Sequence, residues 1–478
     1  MRLLVIDNNH DLWSLFIASG EKRKVASSVS RASISLDGSR ILFQRDSAPN
    51  EVWSMAFDAT EVRLAFALGQ DDRVLAASWS PDETCIAYIR TDRTDIEGTL
   101  EIHDLQTNKS RVVLRDNSLI AGGIWISPSL LWLPDGRILF GLINDRVSDL
   151  WALTLDSRGY PVGNPTRMTN RGSSAWNPSV SADGKRLVVL SGQRTSSILL
   201  ANLDKTGTKF EQTTALTNDS WPSFPESWTP DSNELFYDSW RKRSSIYRRS
   251  LSSDTAKLFL GGSKNHAGAA VSPDGKRLLA FSGDWTSTKW QLVRVPIYGG
   301  NSEDVMEVVG PAIIRCATTG SRICILGEPI NKLFVFSLID PLRGRLRELD
   351  RRLDVPERAL APMWSLSPDG SKIAAMGKSD DTVSILDLQS NQVKVIHPNP
   401  SQSGLVFPSW SADGKRLFIC SNSDSGVSLI EMDLTGVARV LRKNPIGVFT
   451  SPSASPDGKH LAYNYQTDKN NAVLFEHF

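Results

Sequence analysis

Ser272-Pro273-Asp274-Gly275-Lys276-Arg277-Leu278 is a hairpin turn spelled out in residue types. Proline presets φ for the first central position of a type I turn, aspartate suits the second, and glycine takes the left-handed position that follows. Small apolar residues precede it (Gly268 to Val271) and an apolar strand follows it (Leu278 to Phe281). The same signature returns down the whole chain, with turn aspartates at Asp37, Asp82, Asp135, Asp183, Asp231, Asp274, Asp369, Asp413 and Asp457. A degenerate copy, IIRCATTGSRICIL, has Thr319 in the aspartate place. Successive turns are then 43 (Asp231 to Asp274) to 53 (Asp82 to Asp135) residues apart. An all-β repeat of about 40–50 residues is the period of a β-propeller blade, four antiparallel strands each.

The rest of each unit fits that reading. An inner strand ends at the turn, often with a tryptophan three places before the aspartate: Trp79, Trp132, Trp228 and Trp410. A second strand leaves the turn, a third follows (Asp149 to Leu153, Ser245 to Arg249), and a short, often basic fourth closes the unit (Arg167-Met168-Thr169). Turn clusters of Gly, Asn, Asp and Ser separate them.

Residues 1–30 read as the second, third and fourth strands of a unit without its first, so a longer parent with further blades upstream is expected. Residues 154–166, with Gly159, Pro161, Gly163 and Pro165, read as a connector and the domain boundary. The last unit stops after a third strand, and Thr166-Arg167-Met168-Thr169 is expected to supply its fourth, hiding both sheet edges. The predicted architecture is therefore all-β: 1–164 as an incomplete propeller arc of about three and a half blades, and 165–478 as a closed seven-bladed propeller.

The net charge of +1 gives no strong field toward nucleic acid or an anionic membrane. No apolar run reaches the length of a membrane span, and no secretory signal opens the chain. Four cysteines are too few for a disulfide framework. Cys316 and Cys324 flank the degenerate turn and read equally as a cross-strand disulfide or as two small core thiols; Cys85 and Cys420 read as core.

Candidate chemistry is sparse. The turn aspartates fit turn geometry better than a metal ring, being dispersed over separate blades. The six histidines (His10, His103, His266, His397, His460, His477) show no metal or triad spacing. No G-x-S-x-G elbow and no glycine-rich phosphate loop is present, which argues against a complete prolyl-oligopeptidase-type hydrolase and an intact kinase. Neither a metal nor a cofactor is expected. The arginines around Arg343, Arg345 and Arg347 alternate with Glu348 and Asp350 and read as a solvated strand edge. Most of the 14 tryptophans read as packing between blades. Equivalent segments at the start of inner strands converge on a propeller axis, so Trp176, Trp221, Phe224, Phe407 and Phe449 are predicted to line an aromatic mouth, with Glu226, His266 and Arg358 adding polar groups.

The SPDGK-R-[LI] turns and strands such as IYRRSL and LVRVPIYGG resemble the bacterial WD40-like repeats of TolB and its relatives. Residues 315–353, WSLSPDGSKIA at 364–374 and the terminal HLAYNYQTDKNNAVLFEHF are similar to the sensory propellers at the C-terminal end of bacterial receptor Ser/Thr kinases and winged-helix transcription regulators. The resemblance implies a non-catalytic sensor or interaction module that binds a protein or small-molecule ligand, detached from its effector and membrane helix, with a periplasmic setting as its family context. Two alternatives stay open: a TolB-like periplasmic interaction protein, and a propeller enzyme (hydrolase or lyase) with its site in the channel mouth.

Overall fold

A computed structural model describes residues 2–7, 10–16, 18–92, 98–120, 128–144, 147–169, 174–204, 206–217, 221–241, 243–284, 287, 289–310, 312–330, 333–354, 364–377, 379–423, 426–476 and 478. Strands dominate them, and nearly all pair antiparallel with the next strand in sequence. The sheets are named here by the turn residue that joins their first two strands.

Most of the turns are built by one device. In the Asp274 sheet the Ser272 hydroxyl donates to Asp274 Oδ1 (2.6 Å), which also accepts the Lys276 amide (3.0 Å), while Ser272 Oγ accepts the Arg277 amide (3.0 Å). Serine or threonine does the same two places before Asp37, Asp82, Asp183, Asp231, Asp369, Asp413 and Asp457. The hydroxyl and carboxylate satisfy amides that the tight turn turns away from the ladder. Gly275 has φ +69°, and a Cβ there would meet Pro230 of the preceding turn at 2.9 Å. Glycine is thus required both by conformation and by the close approach of neighbouring turns.

The chain divides into two compact units, residues 194–468 and residues 1–193 with 469–478. The first of these contains six sheets among the described residues. Five are complete and sequential. The Asp231 sheet, for example, runs Ser223–Trp228, Glu234–Trp240, Ser244–Ser250 and Ala256–Leu260. The inner strands pack in cyclic order: Ser223–Trp228, Asn265–Val271, Ile313–Cys316, Trp364–Leu366, Leu405–Trp410, Val448–Ala454, and from there back to Ser223–Trp228. This is a closed β-propeller. Its cores lie between sheets; Phe236, Ile246, Ala269, Leu278 and Val295 form one such seam.

The Asp457 sheet closes the ring in a way the sequence reading missed. Its inner strands are Val448–Ala454 and the first part of His460–Glu476. Beside them lies the later part of the 18-residue strand Arg186–Leu203, whose Leu199 to Leu203 pair with Phe210–Ala215. The early part of that strand pairs with Ser174–Val180 across the Asp183 turn, in the other unit. Two predictions are corrected. Thr166–Arg167 does not supply the closing strand: it pairs with Trp151 and Ala152 and completes the Asp135 sheet. Among the described residues the ring accordingly has six sheets where seven were expected, because the Asp183 turn belongs to the other unit.

The expected domain boundary at 164/165 also moves. Residues 154–166 loop out between two strands of one sheet, with Leu155 bridged to Pro161 and Arg111 donating to the Gly159 carbonyl (3.2 and 3.3 Å). The division falls instead inside two unbroken strands, at 193/194 and 468/469.

The other unit holds the three-stranded sheet Arg2–Ile6, Leu12–Phe16 and Lys22–Ala26, the four-stranded Asp37, Asp82 and Asp135 sheets, and the Asp183 strands with residues from 469 onward. Its inner strands pack in sequence order. Among the described residues, no contact comparable to the one closing the six-sheet ring joins the two ends of this arc.

Candidate functional site

Several inner strands carry a β-bulge six residues before the turn. Gly268, Phe407 and Ser451 occupy it in the ring with φ of 62°, 54° and 50°, and Asn177 in the arc with 49°. In each case the ladder shifts register across the bulge. Only glycine and, to a degree, asparagine take this conformation cheaply, so a phenylalanine there is held by its surroundings. In the Asp231 sheet the bulge lies between Pro225 and Ser227 and presents Glu226.

Glu226 accepts a hydrogen bond from Arg315 Nη1 at 3.1 Å. Arg315 comes from Ile313–Cys316, two sheets further round the ring, so the ion pair joins inner strands that are not neighbours. Asp238 lies in the second strand of the Asp231 sheet, directly opposite Phe224. That register puts both side chains on one face, and Trp240, two residues on, shares it. Asp238 Oδ2 accepts the Trp240 indole N–H (3.0 Å), and the Phe224 and Trp240 rings meet edge to face at 5.4 Å. Asp238 is 4% exposed; its Oδ1 has no hydrogen-bond partner of good geometry among the described residues, although the Phe224 amide is near enough to pull its pKa down.

Burial, and then the Glu226 charge, pushes the Asp238 carboxyl well above the ordinary carboxylate range; burial raises Glu226 too, against the pull of Arg315. Two desolvated carboxyl groups thus share one guanidinium. His266, on the inner strand of the next sheet, is buried with an unpartnered Nδ1, and burial followed by the nearby Lys264 charge lowers its pKa. Its carbonyl accepts the Ser244 hydroxyl (2.8 Å), and Ser244 is the cross-strand partner of Trp240. His266 therefore belongs to the same end of the sheets as Asp238.

The eight predicted site residues fare differently. Glu226, Phe224 and His266 fall in this region, and Trp221 lies just before the same inner strand, its carbonyl accepting the Ser223 hydroxyl (3.2 Å). Phe407 is half-buried on the inner strand of the Asp413 sheet. Phe449 is corrected: it is fully buried, packed on Tyr463 and Tyr465, and is core rather than mouth. Trp176 is corrected as well, since it sits on Ser174–Val180 in the other unit. Arg358 lies outside the described residues. Asp238, Trp240 and Arg315 were not predicted. An aspartate directly after the apolar run Leu235-Phe236-Tyr237 was the available signal for the first.

Cys316 and Cys324 are direct cross-strand partners and are joined as a disulfide, which leaves Cys85 and Cys420 free. Among the described residues no helix is long and apolar enough to cross a membrane, and no group of three His, Cys, Asp or Glu is arranged to hold a metal ion.

Fold and site together define a β-propeller repeat protein with a largely buried polar cluster on the first and second strands of sheets in its ring. No protein family and no curated protein matches the chain by sequence. Among solved structures it is similar to a putative TolB from Agrobacterium tumefaciens (18% identity, TM-score 0.45, covering 57% of this chain and 99% of that one). It is also similar to TolB from Acinetobacter baumannii (17%, TM-score 0.39, 79% and 77%) and to the GH74 xyloglucanase from Xanthomonas campestris (11%, TM-score 0.39, 97% and 81%).

Proposed function

We propose that this protein is a non-catalytic binding propeller, a sensor module of a bacterial signalling receptor, whose contact site is the Glu226–Asp238–Arg315 cluster. The observation that carries the reading is the buried Asp238 oxygen without a partner of good geometry, beside an ion pair that ties non-adjacent inner strands. A buried polar atom left unmatched costs stability, and such groups gather where a ligand supplies the missing partner. The sensor assignment rests on the resemblance of residues 315–353 and the terminal segment. The Cys316–Cys324 disulfide supports an extracytoplasmic setting, where such bonds persist. A thermal-shift screen of small polar ligands against the wild type and Glu226→Ala tests the site: hits should stabilise the wild type and lose their effect in the variant. Hits that shift both equally would place binding elsewhere.

One observation favours a second reading, an enzyme. A carboxyl whose pKa is raised by burial and by a second carboxyl beside it is the arrangement of a general acid. Under that reading a bound ligand is turned over and Asp238→Asn stops the turnover; under the first, prolonged incubation returns the ligand unchanged.

A further inference from the structure

We infer that a cleft between the Asp82 and Asp135 turns, wholly within the amino-terminal unit, binds a neutral, hydroxyl-rich ligand: a sugar of one or two rings. The inference is independent of the Glu226 cluster. It starts from a broken pattern. Along the chain, the glycine of one turn packs on the residue just before the aspartate of the preceding turn. A Cβ at Gly184, Gly275, Gly414 or Gly458 would meet Pro134, Pro230, Pro368 or Ala412 at 3.2, 2.9, 3.7 and 3.5 Å. At Gly136 the same Cβ would meet nothing within 4 Å, and Pro81, the residue it should approach, is exposed. The two turns have parted.

The gap is a cavity of about 400 Å³, within the size range of small-molecule sites. Its walls are the Ser80–Cys85 turn with Asp104 on one side and Trp132, Pro134 and Gly136 on the other; residues 155–159 of the looped-out connector border it as well. That border is fixed by Arg111, whose Nε and Nη2 both donate to the Gly159 carbonyl. The cleft is thus held open by backbone contacts that do not use up its side chains.

Those side chains choose the ligand. Asp82, Asp104 and Asp156 line the cavity together with Arg111 and Arg158, and none of the five forms an ion pair among the described residues. Each aspartate spends Oδ1 on its own turn: Asp82 on Ser80 and Thr84, Asp104 on the Gln106 and Thr107 amides, Asp156 on the Arg158 and Tyr160 amides. Strong acceptors and strong donors therefore share one space. A simple cation would pair with the carboxylates and face the guanidiniums; a simple anion would do the reverse. A hydroxyl both donates and accepts, so a ring of adjacent hydroxyls answers both sets without a charge of its own. Pro81, Trp132, Pro134 and Leu155 supply apolar surface for the C–H faces of such a ring.

The cavity carries its own reporter, since half-buried Cys85 lines it as a free thiol. The test follows alkylation of Cys85 by iodoacetamide in the full chain, without reductant, by peptide mass spectrometry. The probes are maltose, cellobiose and lactose, with n-propylammonium and propionate as the charged comparisons. At least one disaccharide should slow the reaction saturably, by about tenfold at ten times its dissociation constant, and neither ion should. The protecting sugar should also give a calorimetric titration with the wild type and none with Ser157→Trp, which fills the cleft from an exposed loop position; Arg158→Trp does the same if that variant fails to fold. Protection by either ion equal to that by the sugars overturns the ligand class. A titration that survives both substitutions overturns the site. Absence of protection by all three sugars overturns the proposal.

Discussion

The Trp228 indole donates to the Ser453 carbonyl at 3.1 Å across 225 positions of sequence. These residues lie on the first and last inner strands of the six-sheet ring, so their bond is one of the stitches that close it. Others lie alongside. The Asp457 amide donates to Ser232 Oγ (3.1 Å), and His460 Nδ1 meets Asn202 Oδ1 (3.0 Å). Asn464, fully buried, donates to Ser196 Oγ and to the Ser223 carbonyl (both 2.8 Å) and accepts from Thr450 (3.1 Å). Closure is thus specified by polar geometry as well as by apolar burial.

Asn464→Ala should therefore be costly. It strands partners on three strands at once, and about 2–4 kcal/mol of stability should be lost in urea denaturation of the full chain. Trp410→Phe, which removes a similar indole bond to the Ser365 carbonyl (3.3 Å) within the ring, should cost nearer 1 kcal/mol. A loss for Asn464→Ala no larger than that for Trp410→Phe would show that the seam is held by burial alone.

The turn device predicts an acid sensitivity. The Ser35 hydroxyl, and then the Ser39 amide, hold Asp37 at about 2 against an ordinary 3.8. A depressed carboxylate stabilises the fold above its ordinary pKa, and that contribution fades as pH falls toward the folded value. Ser35→Ala should move Asp37 back toward 3.8 in an NMR titration and flatten stability against pH between about 2 and 4.

Asp238 has the opposite sign. A carboxyl raised in the folded state costs stability as pH climbs from its ordinary value of 3.8, where the unfolded chain ionises first, up to the folded pKa, above which the cost is constant. Asp238→Asn should leave stability near its wild-type value below about pH 3.8 and exceed it by a growing margin as pH rises from there, until the margin levels off. Melting curves across pH check this; a variant uniformly less stable at every pH would mean that Asp238 has a structural partner.

Intact mass measured without reductant should be lower than the reduced mass by two hydrogens, with the linked peptides containing Cys316 and Cys324. Cys420, fully buried with its thiol pKa pushed up by burial, should resist alkylation until the protein unfolds, while half-buried Cys85 reacts earlier.

Much of the fold is written locally. Ser272, Pro273, Asp274 and Gly275 each have a geometric job within one turn, and the repeat of that group exposes the sheets and their order. Trp79, Trp132, Trp228 and Trp410 are buried as their spacing implies. Closure is not written locally. Residues 191–196 (SGQRTS) carry no strong turn signal, and nothing in them says that one strand crosses from one unit to the other. Thr166–Arg167 has the composition of a closing strand and pairs with its own sequence neighbours instead. The site was half legible. Glu226 stands out as a carboxylate on an inner strand, but Arg315 lies in the degenerate repeat, and its meeting with Glu226 depends on the ring's closure, which no spacing reveals.

The two long shared strands have a consequence for biogenesis. Since residues 469–478 complete a sheet begun by Ser174–Val180, the amino-terminal unit stays unfinished on the ribosome until the inserted ring has been translated. Its raw edge must wait through the synthesis of everything between, so the nascent chain is most open to mispairing late in translation.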